Sequence, residues 1–172
     1  YTTDVKKAVI TVPAMFAEKA RQATLDAAKL ADLEVIELIN EPTAAVLHYA
    51  SLPGVEVGGR VMIFDLGGGT FDVTIIEINQ HIIRVKSTDG DDKLGGKDWD
   101  DRLMKYVSEA FKDQHGINIM DDVLARHELR ERCVSAKKAL SQRPEMTLSF
   151  QHQNKPIRLK ITREHFEAIT AD

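Results

Sequence analysis

The chain has 172 residues, 43% of them apolar, with 23 Lys and Arg set against 27 Asp and Glu for a net charge of −4. That composition suits a globular protein with one sizeable core or two small ones, and the scattered basic residues lack the interleaved aromatics of a nucleic-acid surface. No apolar run reaches the roughly 18 residues that a bilayer-spanning helix needs, and no signal-peptide pattern is visible, so the expected compartment is the cytoplasm, with neither membrane nor nucleic acid as partner. The single Cys133 fits that compartment and reads as a packed small hydrophobe, and the six histidines show no metal-ligand spacing. Because the chain opens at Tyr1 and closes just after a helix start, it is expected to be a piece of something longer.

Lys7 to Val12 predicts a short strand stopped by Pro13, and Phe16, Ala20, Ala23, Ala27 and Leu30 fall at helical spacing, predicting an amphipathic helix with a mostly alanine stripe. Val35 to Ile39 follows as a second strand, which makes a βαβ unit with a parallel pair. Asn40-Glu41-Pro42 ends that strand, and Pro42 suits the first turn of a helix through Val46 and Tyr49. Glu41 therefore stands where a strand end meets a helix start, the edge at which open α/β sheets bind ligands. Leu52 to Gly59 holds Pro53, Gly54, Gly58 and Gly59, and reads as a connection between structural units.

Val61 to Leu66 and Asp72 to Ile78 read as two strands joined by Gly67-Gly68-Gly69-Thr70. A turn without Cβ atoms can take positive φ and aim successive backbone N–H groups at one point, forming an anion pocket to which Thr70 adds a hydroxyl. Asp65 and Asp72 bracket that pocket with carboxylates, which suits a phosphate arriving with a divalent cation. A Walker loop or a dinucleotide fingerprint would need a helix after the glycines, whereas Phe71 opens a strand. The plain alternative is an ordinary glycine-rich hairpin; the flanking acids and Thr70 weigh against it.

His81 to Thr88 predicts a third strand before a turn-rich Asp89 to Gly96. Trp99, Leu103, Tyr106 and Ala110 mark a helix closed by Gly116, and Ala125, Leu129, Cys133, Ala136 and Leu140 mark another. Met146, Leu148 and Phe150 alternate, as do Ile157, Leu159 and Ile161, which predicts an antiparallel hairpin before a last helix capped by Thr162.

Six segments in order, AVITVPAMF from Ala8, RQAT from Arg21, NEPTAA from Asn40, FDLGGGTFD from Phe64, LGGKDWD from Leu94 and the stretch around Ala136-Lys137, resemble the ATPase domain of the seventy-kilodalton heat-shock chaperones, the DnaK-like family. The resemblance runs over nearly the whole chain. It implies an α/β fold of the actin-like ATPase (ribonuclease H-like) class, here partial: mixed sheets flanked by helices, plus a helical and hairpin upper subdomain. Residues 1–58 would end the first lobe, 59–94 would form the base of the second, and 95–172 its incomplete upper subdomain.

By the same resemblance, Gly67, Gly68, Gly69 and Thr70 would contact the β- and γ-phosphates of ATP or ADP. Asp65 would order the water shell of Mg2+ and the attacking water, Glu41 would position that water, and Asp72 would add a metal-water or K+ contact. Thr70 joins Asp65 and Glu41 as the catalytic set. Pro13 and Arg21 match the switch proline and relay arginine that couple nucleotide state to a peptide-binding domain, and Lys137 and Ser141 match residues lining the adenosine pocket. Taken singly, Glu41 would be a helix cap, Pro13 a strand stop and Arg21 a solvated helix residue; their register with the hairpin changes that reading.

The resemblance also implies unfolded client peptides, a J-domain co-chaperone and a nucleotide-exchange factor as partners. Four positions depart from the pattern: Val134 replaces a ribose-binding glutamate, Lys97 an acid, Glu37 a basic residue at the co-chaperone surface, and Met15 a tyrosine beside Pro13. The first phosphate hairpin, the catalytic lysine and the peptide-binding domain have no counterpart, so an isolated chain of this extent is expected to bind ATP weakly and hydrolyse it barely. A nucleotide-sensing adaptor with weakened catalysis, or another actin-fold ATPase or kinase, are the alternatives.

Overall fold

The structure, a computed structural model, describes residues 6–55, 58–79 and 82–171. The chain divides into two units, residues 1–95 and residues 96–172.

In the first unit, β1 (Lys7–Val12) pairs in parallel with β2 (Glu34–Asn40), and α1 (Glu18–Leu30) connects them. The βαβ arrangement is the expected one, but α1 turns a different side inward. Ala28 is buried and Ala20, Thr24 and Leu25 are half-buried, whereas Ala23, Ala27 and Leu30 face solvent, Leu30 being 90% exposed. Alanines on several sides of α1 make the inward face ambiguous in the sequence; contact with the sheet, not periodicity, selects it.

α2 (Glu41–Ala50) starts directly at the end of β2, with Pro42 buried in its first turn. A three-stranded antiparallel sheet follows: β3 (Gly59–Leu66), β4 (Phe71–Asn79) and β5 (Ile82–Asp91), with β4 central. Val46 of α2 packs with Ile76 and Ile78 of β4, and Val61 and Ile63 of β3 join them. α2 thus covers one face of this sheet; Met62 and Phe64 point to the other and are 62% and 63% exposed.

β5 runs three residues beyond the expected Thr88. Asp89, Gly90 and Asp91 look like turn residues, yet they pair with Val73, Asp72 and Phe71. Gly90 fits because it lacks a side chain: a Cβ there would lie 2.0 Å from the Phe71 carbonyl oxygen. The expected start of this strand at His81 lies outside the described residues.

The second unit consists of α3 (Gly96–His115), a 3-10 turn (Ile119–Asp121), α4 (Val123–Leu140), the hairpin β6 (Glu145–His152) and β7 (Lys155–Thr162), and α5 (Arg163–Ile169). Gly116, at φ +72°, ends α3, and the two-residue turn Gln153-Asn154 has both φ values positive, as a tight hairpin with the strand twist requires. Asp122 caps α4 by accepting from the amides of Leu124 and Ala125, and Thr162 caps α5 by accepting from His165.

The core of this unit joins Leu103, Met104, Val107 and Phe111 of α3 to Leu129, Cys133 and Leu140 of α4 and to Leu148, Phe150, Ile157 and Ile161 of the hairpin. The α4 stripe is the expected one. On α3 the fully buried positions are rotated from Trp99, Tyr106 and Ala110, which are half-buried, onto Met104, Val107 and Phe111. Cys133 is fully enclosed; burial pushes its thiol up to about 12, and nearby Asp100 adds to the rise.

Candidate functional site

The glycine hairpin projects from the β3–β4 ladder. The Gly67 N–H donates to the Thr70 carbonyl at 2.9 Å, closing a four-residue turn in which Gly68 and Gly69 are exposed and Gly67 and Thr70 half-buried. None of Gly67, Gly68 and Gly69 has a left-handed φ, so the tightness of the turn does not account for the glycines. Close approach does explain Gly95. A Cβ built on Gly95 would stand 2.4 Å from the Gly69 nitrogen and 2.5 Å from the Gly68 carbonyl carbon. Backbone therefore lies on backbone at this point, while the positions where Cβ atoms of Gly68 and Gly69 would be are open.

Asp65 and Asp72 are direct cross-strand partners at the base of the turn, on the face that α2 covers. Like charges placed opposite one another weaken a sheet, so this pair is not there for stability. Asp72 is 2% exposed. Its Oδ2 accepts from the Ala14 amide at 3.2 Å, and its Oδ1 is buried with no hydrogen-bond partner among the described residues. Burial raises its carboxyl above the ordinary range and Asp65 adds to this, while the Ala14 and Met15 amides pull the other way.

Glu41 enters from the first residue of α2. Burial raises its pKa above the usual carboxylate value, and the charges of Asp65 and then Asp72 raise it further. Three acids from three elements therefore share one electrostatic environment. Capping does not explain Glu41, because Asn40 is the N-cap residue of α2 and its side chain makes no cap bond. Asn40 is engaged elsewhere: its Oδ1 accepts from Arg21 Nη2 at 2.7 Å, and Arg21 Nε donates to the Phe16 carbonyl at 3.0 Å. Phe16 in turn donates its amide to the Pro13 carbonyl at 3.1 Å, closing the turn 13–16. Arg21 thus joins the Pro13 turn to the residue preceding Glu41.

Among the described residues, no group of three or more His, Cys, Asp and Glu side chains is arranged to hold a metal ion directly. The orphaned Oδ1 of Asp72 and the mutual repulsion of the three carboxylates are what a cation with its water shell would relieve.

Lys137 and Ser141 lie in the second unit, at the end of α4. The Lys137 ammonium donates to the Gly96 carbonyl at 2.7 Å and sits 2.8 Å from Asp100 Oδ1, outside hydrogen-bonding direction for that oxygen. Asp100, not singled out in the sequence, is buried on the face of α3 that carries Met104, Val107 and Phe111, and an acid in register with that apolar face is the signal that marks it. Ser141 is exposed, its Oγ 3.5 Å from the Lys137 carbonyl oxygen. Lys97 is exposed and pairs with Asp101 at 2.7 Å, and Arg130 reaches the other Asp101 oxygen at the same distance. Burial acts to raise the Asp101 carboxyl, but the hydrogen bonds from Lys97 and Arg130 outweigh it and hold the group below its usual value. A groove of about 760 Å3 between α3 and α4, lined by Met104, Ser108, Lys112, Arg126 and Arg130, includes none of the expected site residues.

A family model described as Hsp70 protein matches residues 1–172. The chain belongs to the Hsp70 family. It is 44% identical over 177 aligned residues to the chaperone protein DnaK of Anaplasma marginale (strain St. Maries), an alignment covering 98% of the chain and 27% of that relative. The chain thus spans little more than a quarter of the length of that relative. Its mixed α/β architecture is consistent with that membership, and among the described residues no helix is long and apolar enough to cross a membrane.

Proposed function

We propose that this chain is the central part of the nucleotide-binding domain of an ATP-hydrolysing molecular chaperone, with an actin-like ATPase fold. Residues 1–58 end the first lobe, 59–94 form the base of the second, and 95–172 its upper subdomain. The observation that carries the proposal is the convergence of Glu41, Asp65 and Asp72 beside an exposed glycine hairpin whose backbone is open to a ligand. The relative's name, a chaperone protein, supports it.

In this reading Gly67, Gly68, Gly69 and Thr70 bind the β- and γ-phosphates of ATP or ADP through backbone amides and the Thr70 hydroxyl. Asp65 and Asp72 would hold Mg2+, and Asp72 also K+, mostly through water. A cation held there would neutralise phosphate charge. Glu41 accepts a hydrogen bond from the attacking water and fixes its direction, and its raised pKa makes it a stronger acceptor than a solvated carboxylate. Phosphoryl transfer to water depends on alignment and charge stabilisation more than on covalent chemistry, so these groups supply most of what the step needs. Pro13 and Arg21 relay nucleotide state to a peptide-binding domain, supported by the bonds from Arg21 to Asn40 and Phe16. Lys137 and Ser141 line the adenosine side, with Lys137 steadied by Asp100. Unfolded client peptides, a J-domain co-chaperone and a nucleotide-exchange factor are the partners, and the cytoplasm is the compartment.

Single-turnover hydrolysis by the full-length protein tests this. Glu41→Gln and Thr70→Ala are expected to slow the chemical step by about 100-fold or more while MgATP affinity stays within a few-fold, since both groups act mainly in the transition state. An unchanged hydrolysis rate in both variants would remove them from the mechanism.

A further inference from the structure

Asp72 uses its two oxygens differently. One is buried with no partner among the described residues, and the other is bonded to the backbone of the Pro13 turn. The local chemistry explains why that turn is a good donor. In the four residues from Pro13 to Phe16, the Phe16 N–H is spent on the Pro13 carbonyl, which leaves the amides of Ala14 and Met15 directed away from the turn. Both act on the Asp72 carboxylate, Ala14 through a 3.2 Å hydrogen bond. Asp72 itself is fixed in β4, one strand position from the end of the glycine hairpin. On the sequence the two partners are 58 residues apart.

We propose that Asp72 is a positioning residue that straps the Pro13 turn to the base of the phosphate hairpin, so that a shift of the hairpin on nucleotide exchange is carried to residues 13–16 through the Ala14 amide. This rests on the functional reading above and adds to it a second connection. Arg21 links the same turn to Asn40 beside Glu41, and Asp72 links it to the hairpin. The turn is therefore held from both sides of the acidic site.

Ala14→Pro isolates the strap. Ala14 is the second residue of a four-residue turn, the position that proline favours, so the substitution deletes the donor N–H and keeps the turn. In the full-length protein, the ratio of model-peptide affinities with ADP and with ATP is measured by fluorescence anisotropy, alongside single-turnover hydrolysis. Losing a hydrogen bond to a charged group predicts a ratio reduced about tenfold in Ala14→Pro, with hydrolysis within about twofold of wild type. Asp72→Asn, which keeps an oxygen to accept from Ala14, is expected to retain more of the ratio than Asp72→Ala. A wild-type ratio in Ala14→Pro, or equal ratios in the two Asp72 variants, would overturn the strap alone. A wild-type protein whose peptide affinity ignores nucleotide would overturn the functional reading and the strap with it.

Discussion

The two units of the chain spend their interiors on different things. Residues 96–172 enclose a continuous apolar core in which Leu103, Val107, Phe111, Leu129 and Ile161 are fully buried. Residues 1–95 have a smaller one, centred on Val46, Ile76 and Ile78, and place Asp72 and Thr74 where a core would be expected. Buried charge opposes folding, whereas buried aliphatic surface drives it, so the first unit gives up stability to hold acids beside the glycine hairpin. The second unit keeps Asp100, its one buried acid among the described residues, beside a counter-charge: the Lys137 ammonium is 2.8 Å away.

Three experiments on the chain sharpen or break this contrast. The largest effect is expected from Phe111→Ala, which removes a fully buried ring that contacts Phe150 and His115. A cost of about 3–5 kcal/mol is expected, read as a lowered denaturant midpoint of Trp99 fluorescence, since the only tryptophan lies in the second unit. A loss below about 1 kcal/mol would mean that this core is not the stabilising element it is taken to be. Next comes Gly95→Ala. With a Cβ 2.4 Å from the Gly69 nitrogen, the hairpin must shift, costing about 1–3 kcal/mol and speeding hydrogen exchange at β3 and β4 amides. Unaltered exchange would show that the contact is slack.

The smallest effect is the pH response, which should have opposite signs in the two units. Glu41 and Asp72 are raised above 4.5 and 3.8. Their folded forms hold protons that the unfolded chain releases, so the share of stability they contribute is present below those values and is lost as the pH rises toward the raised ones. Asp101 and Asp122 are lowered, the first by Lys97 and Arg130 against the effect of burial, the second chiefly by the Ala125 amide. Their share is present above 3.8 and is lost as the pH falls through their folded values. Acid is thus expected to loosen the second unit, by Trp99 fluorescence, while slowing exchange at the β3–β4 amides. Parallel pH trends would contradict the assignment of repelling acids to one unit and paired acids to the other.

Much of this was legible in the sequence because periodicity reports local structure faithfully. The α4 stripe from Ala125 to Leu140, the Met146–Ile161 hairpin, the Thr162 cap and the strand–glycine–strand around Gly67 all read directly. Where several small residues made faces equivalent, as on α1, the pattern could not choose, and the sheet chose Ala20 and Ala28 over Ala23 and Ala27. Asp89-Gly90-Asp91 carries turn chemistry, but pairing with β4 overrides it. The acids of the site were visible as residue types near glycines; their mutual influence, the Ala14 bond to Asp72 and the pairing of Lys137 with Asp100 depend on contacts between segments far apart in the chain.

The enclosure of the only thiol has a practical consequence. A cysteine attacks alkylating reagents as the thiolate, and Cys133 is both shut off from solvent and held protonated to about 12. Its labelling therefore has to wait for α4 to separate from the residues around it. The rate of modification in native buffer counts those separations directly, giving a chemical clock for the opening of residues 96–172 without a mutation or an added probe.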